Sequence, residues 1–503
     1  LVCPQYRCNG ELPSMSFSPI LESDVSSWSG DSDVVVVGFG GAGACAAIAA
    51  HDGGASVTVL EAASASGGST ELSSAEIYLG GGTAIQQAVG YDDSVEAVYG
   101  YLMDSNGPQA DPEKTRAYAD GGAAHLEWLM SLGVPFKKSE LKERAMMALT
   151  DDCLLYTGSE KAWPYNTRYP PAPRGHNLEI EGDNGGPLLT KILLEQVEKR
   201  GVDVHYDSRA LRLIVDRHGP DQRVIGIVVR IDMQEHSFRA RKGVVLCAGG
   251  FIMNEAMVAQ YCPQFLEHRT PIGNPNDTGS GIQMGLSVGA RAINMHEGFL
   301  SLPFYPPATL THGIFVNGQG QRFINEDAYH GRIGCFLVEQ AYPVYLILNV
   351  EDYGNYETES WLQAPVAGTG ETLAELVPEL NLPPGQLEQT LERYNRDVTA
   401  GSDTLFHKDR EWLKTIKAPF VALDCSPGSG AYFPCFTLGG LDTTPGGAVR
   451  SVLGDIIPGL YAAGRTACGV PRRGDGYASG SSVGDATFSG RAAGRTVAAE
   501  AVS

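Results

Sequence analysis

The side chains best placed to do chemistry in this chain are hydroxyls flanked by glycine-rich backbone, not metal ligands. Gly38-Phe39-Gly40-Gly41-Ala42-Gly43 spells G-x-G-x-x-G. Such a loop suits a dinucleotide. Gly38 permits a tight turn, Gly40 lets main chain approach a pyrophosphate, and Gly43 lets the following helix pack closely on a sheet. That helix would offer its first N–H groups and a partial positive charge to the phosphates. Glu61 follows Gly38 by 23 residues, the spacing at which an acidic side chain meets ribose hydroxyls. Far downstream, residues 474–484 hold four glycines in eleven positions, with Tyr477 and Ser479 one residue apart. In an extended segment that spacing puts both side chains on one side. A third hydroxyl, Tyr329, closes the run Arg322-Phe-Ile-Asn-Glu-Asp-Ala-Tyr.

The glycine-rich segment also contains a false lead. Gly480-Ser481-Ser482-Val483-Gly484 reads G-x-S-x-G, the nucleophile elbow of α/β-hydrolases. That motif needs an apolar strand before it and a His later in the chain. Here Arg-Arg-Gly-Asp-Gly-Tyr-Ala precedes it and no His follows residue 407, so hydrolase chemistry is excluded.

The elements that must hold these groups are legible around them. Residues 34–37 are four valines, suited to a strand buried on both faces. A small-residue helix follows the first glycine loop, and residues 56–60 form a second strand ending on Glu61. Ala65-Ser66-Gly67-Gly68-Ser69-Thr70 is then a second Gly/Ser turn. Taken alone, the first loop leaves NAD and FAD both open. Residues 242–250 (a strand ending in Ala248-Gly249-Gly250), residues 276–281 (Asn-Asp-Thr-Gly-Ser-Gly, opening a helix) and residues 457–464 add further strand-to-glycine units. Together they predict an FAD-binding domain assembled from both ends of the chain.

Between these units, residues 187–200 have helical apolar spacing, residues 202–206 read as a strand, and 211–215 with 224–231 as a hairpin or small meander. From 294 to 429 the glycine motifs stop and Pro and aromatic residues increase, which predicts an inserted second domain with an amphipathic helix at 381–396. The acidic tract at 351–360 reads as a solvated surface.

Composition sets outer bounds. The chain has 503 residues, 62 Gly and 29 Pro, and a formal net charge of −22. That charge repels phosphate backbones and anionic headgroups, arguing against nucleic-acid partners and for a small ligand in a pocket. The ten cysteines include no C-x-x-C pair and the eleven histidines no H-E-x-x-H; we read no metal site, a reducing compartment and a cytoplasmic location. No basic start and apolar run marks a secretory signal, and the piece before Met15 reads as a leader outside the fold. The apolar stretch from Val34 to Ala50 is short of the roughly 20 residues of a membrane span and is broken by glycines, so no span is expected.

On these motifs the chain resembles the fumarate reductase/succinate dehydrogenase flavoprotein superfamily over nearly all of residues 33–500. Within it the likeness is closest to the bacterial 3-ketosteroid dehydrogenases, specifically the Δ4-(5α) type. The residues that carry it are GFGGAG with Glu61, ASGGST, CAGGF, NDTGSGIQMG, FTLGGL, IPGLYAAGR and GYASGSSVGDATFSGRAAG. The resemblance implies an α/β fold: a Rossmann-like FAD-binding domain at 33–293 and 430–503, an inserted α+β catalytic cap at 294–429, and an N-terminal segment at 1–32. It implies non-covalent FAD held by Gly38, Gly40, Gly41, Ala42, Gly43, Glu61, Ala62, Ser66, Gly67, Gly68, Ser69 and Thr70. Further along, Ala248, Gly249, Gly250, Asp277, Gly279, Gly464, Arg465, Gly480, Ser481, Ser482 and Val483 complete that set.

Removing two hydrogens next to a ketone requires a base for the α-proton, a donor for the enolate oxygen and a hydride acceptor. By resemblance, Tyr477 would bond the C3 oxygen of a small apolar 3-ketosteroid, Ser479 would take the C4 proton, and Tyr329 would relay it to solvent. The chemistry alone lets the two tyrosines exchange roles. A serine is a weak base, so positive charge nearby would have to help, with Arg322 as candidate. Fumarate-type reductases carry a His before T-x-G-G and an Arg in the last glycine loop; here Cys435-Phe436 and Tyr477 stand at those places, which implies a neutral, apolar site. The Δ1-ketosteroid enzymes show Tyr-Pro-Gly-x-Gly where this chain has Tyr477-Ala-Ser-Gly-Ser, which favours Δ4 chemistry. Δ1-dehydrogenation, enoate reduction of the fumarate or urocanate kind, and steroid binding without turnover are the alternatives. The electron acceptor is unidentified.

Overall fold

Four consecutive valines leave a strand no polar face to show to water, so it must lie inside a sheet covered on both sides. The computed structural model, which describes residues 17–145, 148–219, 221–266, 270–303, 307–360 and 363–501, puts it there. The segment before Met15, read above as a leader, lies outside the described residues. Strand Gly30–Val37 runs parallel between Val57–Leu60 and the long strand Gln234–Leu246, and Val34 to Val37 are at most 4% exposed. The far edge of Leu246 pairs in parallel with Ile456–Ala462. A strand from near the C-terminus thus completes a sheet begun near the N-terminus.

Gln234–Leu246 changes partners along its length. Its first half pairs antiparallel with Val224–Ile231, which in turn pairs with Arg209–Val215. Its second half, beyond a register shift between Ala240 and Gly243, is parallel on both sides. The expected hairpin or small meander is a three-stranded meander that runs straight into the central sheet. The expected helix and strand before it occur at Gly185–Lys199 and Asp203–His205.

Helix Gly41–Asp52 is buried almost all round, because Ser481–Ala499 lies directly on it. A Cβ at Gly490 or Gly494 would stand 2.2 or 2.3 Å from the carbonyl oxygen of Ala42 or Ala46. Small residues on both helices thus let the backbones approach to contact. Among the described residues no helix is long and apolar enough to cross a membrane.

A second sheet, Ile314–Val316, Tyr345–Asn349, Phe420–Asp424 and Val366–Gly370, is wholly antiparallel. Helices Leu373–Glu379 and Gln386–Ala400 cover it. The helix expected at 381–396 begins five residues later, after Pro383 and Pro384. Gly385, in the left-handed conformation (φ +78°), makes the N-terminal turn, a conformation glycine adopts without a Cβ penalty. The acidic tract is only partly a solvated surface: Asp352 is buried, accepting from Asn349 and paired with Lys414 at 2.8 Å. A separate small sheet pairs Pro434–Thr437 with both Thr270–Pro271 and Gly298–Leu300. That pairing carries Phe299 and Phe436 to one place.

Candidate active site

The two glycine turns meet. Gly67 N–H donates to Phe39 O at 2.8 Å, and Gly41 N–H donates to the Thr70 hydroxyl at 3.1 Å. Glu61 ties the first turn from below, accepting from Phe39 N–H at 2.6 Å and Ala63 N–H at 2.8 Å. Ser69 donates to Asp277 at 2.5 Å, joining the second turn to the 276–281 loop. Burial pushes the Asp277 carboxyl up, and the Ser69 bond opposes this.

A cavity of about 290 Å³ opens between these turns. Of the residues expected at a cofactor, Gly38, Gly40, Gly41, Ala42, Glu61, Ala62, Ser66, Gly68, Ser69, Thr70, Ala248, Gly249, Asp277, Gly464 and Arg465 line it. Gly43, Gly67, Gly250 and Gly279 stand behind that lining. Gly43 packs on Gly38, whose carbonyl oxygen would lie 1.9 Å from a Cβ there. Gly480, Ser481, Ser482 and Val483 are elsewhere, at the start of the terminal helix against Tyr78. The cradle fits an anionic dinucleotide. Gly40 leads a helix whose N-terminal end, at Gly41 and Ala42, lines the cavity and favours a phosphate there. Arg465 also leaves its buried Nε and Nη1 unpartnered among the described residues, while only Nη2 reaches Asp485.

Two of the three candidate hydroxyl-bearing residues come together elsewhere. Tyr329, Tyr477, Phe299 and Leu438 form a small buried cluster against Phe436. Phe299 is its centre, with its ring 4.8 Å from those of Phe436 and Tyr477 and 6.4 Å from that of Tyr329. Phe299 is not a candidate in the sequence, and Leu438 lies there only within the FTLGGL motif; the pairing of 298–300 with 434–437 puts Phe299 beside Phe436, and Leu438 follows directly after that strand. Tyr477 donates to Ser482 Oγ at 3.0 Å. Burial pushes its phenol above the ordinary range, so it remains a proton donor at neutral pH. Ser479 is held through its backbone, donating to Thr157 O at 2.8 Å and accepting from the Thr157 hydroxyl at 3.0 Å. Its side chain lies beside Glu76, which the Tyr477 phenol also faces, and Ser481 N–H donates to Ala478 O at 3.1 Å, so a turn follows Tyr477 where an extended segment is expected.

Tyr329 also lines a second cavity of about 1010 Å³, with Tyr156, Gly158, His330 and Trp412. Its wall includes Lys142, Arg144, Lys161, Asp327 and Asp409, so the neutral, apolar character expected of the site belongs to the aromatic cluster and not to this cavity. Arg322 is not available to assist a base. Its guanidinium is buried against Glu326 at 2.6 Å and Asp403 at 2.8 Å, and Lys408 reaches the same glutamate at 3.3 Å. Sequence spacing showed Arg322 near Tyr329 but could not show that its charge is consumed by these two carboxylates.

Residues 33–480 match the FAD binding domain family. The structure superposes on the 3-ketosteroid-Δ4-(5α)-dehydrogenase from Rhodococcus jostii RHA1, solved in complex with 4-androstene-3,17-dione, with a TM-score of 0.91 and 40% identity. That match covers 96% of this chain and all of the other. The 3-oxo-5-alpha-steroid 4-dehydrogenase of Comamonas testosteroni is 28% identical over 510 residues, 88% of this chain and 94% of its own. A flavocytochrome c3 fumarate reductase shares the fold with a TM-score of 0.64 and 25% identity, over 94% of this chain and 79% of that one. Some curated relatives are longer: the chain spans 29%, 66% and 48% of the length of an NADH:acrylate oxidoreductase, a probable fumarate reductase and an NADH:fumarate oxidoreductase.

Proposed function

This chain belongs to the FAD-binding domain family, and on that premise we propose that it is an FAD-dependent 3-ketosteroid dehydrogenase that introduces a C4–C5 double bond into 3-keto-5α-steroids. The observation that carries this reading is the end-to-end likeness, at 40% identity, to a Δ4-(5α) enzyme. The cluster joining Tyr329 to Tyr477 supports it. We assign residues 33–293 and 430–503 to flavin binding and 294–429 to a catalytic cap, with FAD held non-covalently and the protein working in the cytoplasm.

Bound FAD supplies the acceptor for the hydride leaving C5. The chain's own residues then have two tasks. Tyr477, kept protonated by burial, donates to the C3 carbonyl oxygen and stabilises the negative charge that gathers there as C4 loses its proton. Ser479 receives that proton. Tyr329 connects the cluster to the large cavity, which gives it a route to solvent. Phe299, Phe436 and Leu438 wall the reacting carbons from water, and in such a low-dielectric site each hydrogen bond to the oxygen is strengthened.

The test is anaerobic addition of 5α-androstane-3,17-dione to the yellow protein. Bleaching of the flavin, with 4-androstene-3,17-dione as product, is the expected result. A 1-ene product would shift the reading to Δ1-dehydrogenation. No bleaching with any 3-ketosteroid would remove dehydrogenase activity altogether.

A further inference from the structure

A serine hydroxyl is too weak a base to hold a proton taken from carbon, and the structure sets a stronger one behind it. Glu76 precedes strand Ile77–Tyr78 and is 1% exposed. Its main chain is locked to the Ser479 turn. Tyr78 N–H donates to Gly480 O at 3.1 Å, and a Cβ at Gly480 would lie 3.0 Å from the Glu76 carbonyl. The Ser479 hydroxyl lies beside the Glu76 carboxyl and pulls it down against the effect of burial. Asn177, with its amide turned so that nitrogen faces the carboxyl, donates to Oε1 at 3.3 Å. Oε2 is buried with no hydrogen-bond partner among the described residues. A buried carboxyl oxygen left unpaired is costly in a folded protein, which points to a function.

We propose that Glu76 is the terminal proton acceptor for Ser479. As Ser479 Oγ takes the C4 proton of the substrate, its own hydroxyl proton passes to the Glu76 carboxylate. The electron pair of the C4–H bond stays with the substrate as the enolate. Ser479 ends the step as a hydroxyl and Glu76 as a carboxylic acid, so the step is proton-neutral overall and needs no oxidant. This inference rests on the steroid-dehydrogenase reading above. Because Glu76 reaches the substrate only through Ser479, it is a positioning residue.

The groups facing Glu76 allow such a role. Ser479 and Tyr477 face it from the C-terminal loop, and Glu160 and Asp183 from two other segments. His176, on the strand paired with Ile77, is kept neutral by burial, which lowers it to about 4. No cation is among these groups. Burial, opposed by the Ser479 hydroxyl and reinforced by Glu160 and Asp183, pushes the Glu76 carboxyl up to about 8. A carboxyl so placed is basic enough to accept a proton near neutral pH.

The experiment is anaerobic stopped-flow reduction of the flavin by 5α-androstane-3,17-dione in the whole protein, from pH 6 to 10. Wild type should show a rate that rises about tenfold per pH unit below pH 8 and levels off above it; a flat profile overturns the proposal. Glu76→Gln should keep the yellow spectrum, lose the pH dependence and slow reduction by about 10²-fold or more. Glu76→Asp should restore part of both. Wild-type speed in Glu76→Gln overturns the proposal while leaving the dehydrogenase reading intact. Should Glu76→Gln fail to fold, the wild-type profile still decides. If wild type is not reduced by any 3-ketosteroid, the functional reading fails and takes this inference with it.

Discussion

Tyr329 and Tyr477 come from distant parts of the chain, yet their rings stand 6.4 Å apart with Phe299 packed against both. The shared packing holds each phenol at a set distance from the other, so the two hydroxyls can serve different atoms of one substrate. Tyr477→Phe should lower kcat by about 10²–10³, as the loss of one oxyanion donor does. Ser479→Ala and Tyr329→Phe should also slow flavin reduction. All three variants should stay yellow, because none of these side chains lines the dinucleotide cavity. Absorbance at the flavin band and single-turnover rates check both halves.

The glycines of the first loop should separate by role. A Cβ at Gly43 would lie 1.9 Å from Gly38 O, whereas at Gly40 its nearest neighbour, Gly67 O, is 3.5 Å away. Gly43→Ala should therefore destabilise the fold by about 1–3 kcal/mol through overpacking. Gly40→Ala should change the stability of the flavin-free protein by less than about 0.5 kcal/mol, yet release FAD more readily, since its methyl intrudes on the pyrophosphate. Urea unfolding and flavin-release measurements on both variants distinguish the two effects.

The buried group Arg322, Glu326, Asp403 and Lys408 should set the acid limit of the second sheet. Burial pushes Glu326 up, but Arg322 and Lys408 beside it hold its carboxyl below the ordinary range; burial and Arg322 oppose each other at Asp403 in the same way. A carboxyl depressed in the folded state stabilises it above the unfolded pKa, about 3.9–4.3, and that stability is lost as pH falls through the folded value. Melting temperature should therefore hold from pH 7 to about 5 and fall steeply below 4. Arg322→Met should cost about 3–5 kcal/mol at pH 7, because it strands buried carboxylates, and should flatten the acid fall. A variant as stable as wild type would show that the ion group is dispensable.

Substrate deuterated at C4 gives a check independent of any variant. Label should leave C4 as the flavin is reduced, and the rate should show an isotope effect. Loss from C1 or C2 alone would assign the chemistry to the other ring position.

The dinucleotide cradle was legible because its parts are local. A valine strand, a glycine turn, a small-residue helix and Glu61 follow one another within about thirty residues, and each is dictated by short-range sterics and backbone hydrogen bonding. The same holds for the meander and the amphipathic helices, whose periodicity reports which face is buried. Helix 386–400 was misplaced by five residues only because Pro383, Pro384 and Gly385 shape its first turn.

What the tertiary structure alone decided is which buried polar group meets which. Arg322 looked like a free positive charge beside Tyr329, but packing brings Asp403 and Lys408 to it across a long excursion of chain. Glu76 sits in no motif and gains its meaning from Gly480 and Ser479, four hundred residues on. Phe299 became the centre of the aromatic wall through pairing with 434–437. Periodicity records whether a side chain is inside, because burial acts on each residue separately. Hydrogen bonds and ion pairs act between residues, and their partners are set by how whole elements dock.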